Sequence, residues 1–123
     1  MSIPRVVICC YRPKRGKEQV LLAEVRDHHH LLRSEGLATD RAPVIVRTKD
    51  GTIVEVFEWA SPAAIEEAHA NPRVQAMWAR FGECCDYVPL ASLAEAAGPF
   101  AEFEPMEIHF PPVIQPPPDK RAE

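Results

Sequence analysis

Apolar positions along the chain fall into three patterns, and each predicts a different kind of element. The segment PRVVICCY, residues 4–11, is apolar on both of its alternating sides: Val6, Ile8 and Cys10 on one, Val7, Cys9 and Tyr11 on the other. Such a strand requires cover on both faces. A different period follows the basic turn RPKRGK. Leu21, Leu22, Val25, the 28/29 pair and Leu32 recur at helical spacing, which predicts a helix over 17–34 closed by Gly36. PVIVRT (43–48) and TIVEVFEW (52–59) return to strand character on either side of TKDGT, where Asp-Gly tolerates the positive backbone angles of a tight two-residue turn.

Two helix starts then repeat one chemistry. Ser61-Pro62 and Asn71-Pro72 each pair a capping side chain with a proline in the first turn, where its missing N–H is no loss. They predict helices over 62–70 and 72–82, the second with a stripe of Val74, Met77, Trp78 and Phe81. CCDYVPL (84–90) reads as a fourth strand and LASLAEAAG as a short helix. MEIHF (106–110), alternating Met106, Ile108 and Phe110 against Glu107 and His109, reads as an extended arm or extra strand before the proline-rich PPVIQPPPDKRAE.

The order strand, helix, strand, strand, helix, strand predicts an α+β, ferredoxin-like domain with an antiparallel sheet over residues 1–98. Residues 99–123 are expected to form a C-terminal arm, tethered by Phe100, Phe103 and the 106/108/110 alternation, and a flexible tail. Helices cover one face of such a sheet. The other face is also apolar here, and a second copy packed sheet against sheet would cover it, so a homodimer is expected.

The hairpin-strand segment GTIVEVFEWAS, the following AIEEAHANPRVQAMWARF and the opening strand and helix with HHHLL carry a resemblance. Over roughly residues 4–90 the chain resembles the dimeric α/β-barrel superfamily, most closely the antibiotic-biosynthesis-monooxygenase-like domains. The resemblance implies a pocket between sheet and helices in each protomer. It places His69 at the histidine of the family's EW.S…H pattern and Trp59 at the strand end. Known members include cofactor-free oxygenases of polycyclic phenols, haem-degrading enzymes, and isomerase- and dismutase-like enzymes.

Composition narrows the classes. A net charge of −4 argues against a binder of phosphate backbones, and the one dense basic run, RPKRGK, reads as a solvated turn. No apolar stretch is long enough to span a bilayer, MSIPRVVICCYRPKRG lacks a signal-peptide arrangement, and the cytoplasm is the expected compartment. Cys9-Cys10 and Cys84-Cys85 are adjacent pairs without CxxC spacing, so free buried thiols are expected. No dinucleotide fingerprint, phosphate loop or nucleophile elbow is present.

Candidate chemistry rests on few residues. His28, His29 and His30 are about 100° apart on a helix and cannot converge on one ion. His28 lies near the buried stripe, His29 at its edge, and His30 points outward. His28 is either a satisfied half-buried histidine or a pocket acid, base or ligand. His69 follows Ile65 by four residues beside the 71–72 break, where a pocket can open, and is the second candidate. Trp59, Trp78 and Phe81 could wall an aromatic cavity or simply fill the core. Glu55 and Glu58 lie on opposite faces of one strand. Glu55 could act as a base, although an ion pair with Arg47 across the hairpin is the reading favoured by the residues.

The function expected is cofactor-independent oxidation of a small aromatic or polycyclic phenol, with His69, His28 or Glu55 as base. Neither metal nor prosthetic group is expected. The alternatives are a dimeric small-ligand-binding or interaction protein, and an isomerase or haem-handling enzyme.

Overall fold

The computed structural model describes residues 3–106. Strand β1 spans Arg5–Pro13, helix α1 Glu18–Ser34, β2 Val44–Arg47, β3 Ile53–Trp59, α2 Pro62–Ala70, α3 Pro72–Cys84, β4 Cys85–Tyr87 and β5 Glu104–Pro105. The sheet order is β4-β1-β3-β2-β5, and every neighbouring pair is antiparallel. This α+β arrangement is compatible with a ferredoxin-like fold. Among the described residues no helix is long and apolar enough to cross a membrane.

Local chemistry accounts for the element ends. Gly36, at φ 75°, closes α1, with its N–H donating to the Arg33 carbonyl and the Leu37 N–H to that of Leu32. That double closure satisfies carbonyls the helix end would otherwise leave open. Ser61 Oγ accepts from the Ala64 N–H at 3.0 Å, and Asn71 Oδ1 accepts from Arg73 and Val74 at 2.9 and 3.2 Å. Asn71 also donates to Glu35 at 2.8 Å, so the break between α2 and α3 is fastened to the end of α1.

The hairpin between β2 and β3 differs from the expected two-residue turn. Thr48 and Thr52 face each other as the closing pair, leaving three residues in the loop, and only Gly51 has a positive φ, 92°. Asp50 keeps negative φ because its carboxylate is engaged as a cap, accepting from the Thr48 hydroxyl and the Thr52 N–H. Three-residue hairpins require only one left-handed residue.

Alternation sends Tyr11, Ile45, Ile53, Phe57 and Trp59 toward the helices, where Leu21, Val25 and Leu32 of α1 and Val74, Met77 and Phe81 of α3 complete the main core. The opposite face is partly covered by the chain itself. Two 3₁₀ turns, Leu90–Ser92 and Ala94–Ala97, replace the expected short helix. Leu93 joins Cys10 and Val54 in a second cluster, with Val88, Ala96 and Phe103 against it. Val6, Ile8 and Val44 on that face stay exposed.

The arm reaches the free edge of β2, where β5 pairs with Val46 and Arg47 and the Met106 N–H donates to the Ile45 carbonyl. Phe103 packs as expected, whereas Phe100 is 88% exposed and tethers nothing within the described residues. Ile108 and Phe110 lie outside the described residues.

Candidate functional site

Glu55 sits at the centre of β3, fully buried, on the face that also carries Ile53, Phe57 and Trp59. Antiparallel pairing sets Cys9 opposite Glu55 and Tyr11 opposite Ile53. Helix α1 crosses above and lowers His28 onto the same spot. The Tyr11 hydroxyl is 2.7 Å, and His28 Nδ1 2.8 Å, from the same carboxylate oxygen, Glu55 Oε1. Glu55 Oε2 is buried and has no partner among the described residues.

This geometry orients the imidazole. A carboxylate oxygen only accepts, so His28 Nδ1 carries the hydrogen and donates it, which leaves Nε2 as the ring's acceptor. The ring is held edge-on against Phe57 and Phe81, at centroid distances of 5.1 and 5.2 Å. Tyr11 is held against Phe81 at 5.0 Å. Burial, then the charge of Glu55, push the Tyr11 phenol well above its usual range, so it stays protonated and keeps donating.

His28 and Tyr11 lie in the wall of a cavity of about 500 Å³. Phe57, Trp59, Trp78 and Phe81 supply most of the remaining wall, and Cys9, Cys10, Tyr87 and Val88 line it toward the edge of β1. The volume falls within the range of small-molecule sites, and an apolar wall with a few convergent polar groups is their usual composition. Cys9 contributes a thiol and not a nucleophile: burial, then Glu55's charge, push it up to about 12. Cys85, on β4 and outside the cavity wall, is likewise pushed up to about 12, first by burial. All four cysteines are free.

The structure brings His28, Glu55, Trp59, Trp78 and Phe81 to one place and leaves His69 apart. His69 is exposed, its Nδ1 donates to the Ile65 carbonyl at 2.8 Å, and its ring lies 5.1 Å from that of Trp78. It is absent from the cavity wall. The physical reason is the helical wheel of α2, which turns Ala64 and Ala68 inward and so sets His69 beyond the buried edge. The Arg47–Glu55 pair also does not form. Arg47 instead meets Glu104 of the arm at 2.8 Å, while Glu55 points to the helix side. Glu58, on the opposite face, takes the Thr39 hydroxyl at 2.9 Å and Arg41 at 3.2 Å.

The flanking histidines have separate fates. His29 is buried and donates from Nε2 to the Thr39 carbonyl at 2.8 Å, and His30 is exposed. Among the described residues no group of three or more His, Cys, Asp or Glu side chains could hold a metal ion.

Tyr11 belongs to the site although its place in β1 reads as one more apolar position. The available signal was parity: Tyr11 alternates with Val7 and Cys9, and Glu55 with Ile53, Phe57 and Trp59, so both polar groups belong to faces that the helices bury. No family model, curated protein or solved structure matches the chain.

Proposed function

We propose that the chain binds a small, flat, phenolic aromatic molecule in this cavity and oxidises it with molecular oxygen, without a prosthetic group, using His28 as the general base. The observation that carries the proposal is the 2.8 Å contact of His28 with a fully buried carboxylate in the wall of an aromatic cavity. A carboxylate behind an imidazole fixes its tautomer and stabilises its protonated form. The wall of Phe57, Trp59, Trp78 and Phe81 suits a ring system by area and by edge-to-face geometry.

In this scheme His28 Nε2 takes the phenolic proton while Nδ1 keeps its bond to Glu55. The phenolate then delivers electron density from a ring carbon to O2. A C–O bond forms at that carbon and the O–O bond breaks. One oxygen remains as a carbonyl, and the other leaves as water with the two hydrogens lost from substrate. Substrate is oxidised by two electrons beyond the oxygen gained, and O2 is the sole oxidant.

The resemblance to antibiotic-biosynthesis-monooxygenase-like domains supports the same reading, and with it a dimeric α/β barrel. Val6, Ile8 and Val44 leave an apolar region on the outer sheet face, next to a groove of about 310 Å³ whose wall includes Val56, Leu90 and Phe103. A second copy would cover this region, and light scattering at micromolar concentration should then give twice the chain mass.

Oxygen uptake against a panel of hydroxylated bicyclic and tricyclic aromatics tests the chemistry. Turnover of at least one member is expected, with a loss of 10²-fold or more in folded His28→Ala, the range typical of a general base. Loss in His69→Ala but not in His28→Ala would move the base elsewhere and overturn the assignment. Binding without turnover across the panel would leave a ligand-binding protein.

A further inference from the structure

We propose that the cavity selects its ligand by charge: it admits uncharged aromatic hydroxy compounds and rejects the same ring systems carrying a carboxylate or phosphate, with Glu55 as the residue that sets this specificity. The inference rests on the cavity being the ligand site.

Among the described residues of the wall there is neither lysine nor arginine. Directly behind the wall lies Glu55, fully buried and hydrogen-bonded to two wall residues, Tyr11 and His28. Those partners are a neutral hydroxyl and an imidazole, and Arg47, the cation nearest in the strand pairing, is committed to Glu104. Glu55 Oε2 has no partner among the described residues. While His28 is in the neutral form that a general base requires, no neighbouring cation cancels the carboxylate's field, and in buried apolar surroundings it is only weakly screened.

Two groups of the wall already register that field. Cys9, opposite Glu55 across the strands, and Tyr11 both resist ionisation because of burial first and Glu55's charge second. An anionic ligand meets the same two obstacles: it must shed water and bring a second negative charge close to the first. A phenol sheds only the weaker hydration of a neutral hydroxyl and brings no charge on entry. When it loses its proton, His28 retains that proton, and the net charge of the pocket does not change. A carboxylate brings its charge and no proton.

Equilibrium dialysis of the full chain with 2-naphthol, 2-naphthamide and 2-naphthoate in one buffer tests this, because the amide and the acid share shape and differ in charge. The naphthol and the amide should bind, and the naphthoate at least about tenfold more weakly than the amide. Glu55→Gln should narrow that ratio to about threefold or less. Its amide oxygen can still accept from Tyr11 and His28. If it does not fold, Glu55→Met, which replaces the buried charge with an apolar chain of similar volume, takes its place.

Wild-type binding of naphthoate within about threefold of naphthamide would overturn charge selection while leaving the cavity reading intact. A folded, charge-free variant that keeps the wild-type ratio would remove Glu55 from the role. Failure of all three compounds to bind would refute the cavity reading itself, and the selection with it.

Discussion

Replacing Tyr11 by Phe deletes one oxygen atom from the centre of the protein, and its effect can be worked out from two distances. The hydroxyl donates to Glu55 Oε1 at 2.7 Å, and the only other donor on that carboxylate among the described residues is His28 Nδ1 at 2.8 Å. A hydrogen bond to a charged acceptor contributes about 1.5–3 kcal/mol, and a fully buried carboxylate deprived of one donor has no water to substitute for it. Tyr11→Phe should therefore lower the unfolding free energy by about 2 kcal/mol, a fall in Tm of roughly 5–10 °C for a domain of this size.

The same change in a Glu55→Gln background removes only a neutral hydrogen bond, of about 1 kcal/mol. Urea unfolding of wild type, both single variants and the double variant then yields a coupling of about 1 kcal/mol. Tyr87→Phe is the control, since Tyr87 packs beside Tyr11 at 5.8 Å but is exposed, and its change should stay within about 0.5 kcal/mol. Equal costs of Tyr11→Phe in the two backgrounds would refute the view that the tyrosine supports a buried charge.

Two further outcomes follow from the packing around the site. His29 is buried, and burial holds its pKa below the ordinary 6.5, so the folded protein takes up this proton less readily than the unfolded chain. The contribution of His29 is complete above 6.5 and is lost as pH falls from there toward the folded value; the urea midpoint should drop between neutral pH and about 5, and less so in His29→Gln, whose amide can still donate to Thr39. Identical drops in the two proteins would sink this account. Phe81→Ala should cost about 3–5 kcal/mol by urea unfolding, because Phe81 is buried and braces both Tyr11 and His28; a loss under about 1 kcal/mol would mean that its ring is not part of the rigid core.

The chain's own sequence determined those features whose causes lie within a few residues. Gly36, Ser61-Pro62 and Asn71-Pro72 end or start helices through bonds that reach two to five positions along the backbone, and each acts where its spacing predicts. The Asp50-Gly51 turn was legible as a turn but not in its length, because the cap from Asp50 to Thr48 and Thr52 competes with the tighter form. Strand parity also put Glu55 on a face with Ile53, Phe57 and Trp59.

Tertiary structure alone decided what Glu55 meets there. Its partners stand 44 and 27 residues away, brought to one oxygen by the β1–β3 register and by the way α1 lies across the sheet. Arg47, the partner the hairpin offered, is turned to the arm instead, and Glu104 engages it only because β5 docks on the free edge of β2. His69 shows the same limit from the other side: four-residue spacing aligned it with Ile65, but the stripe of α2 that packs inward is Ala64 and Ala68. Local rules fix which way a side chain leaves its own element. Which element it then meets depends on burial shared among all of them, and only the assembled sheet and helices settle that.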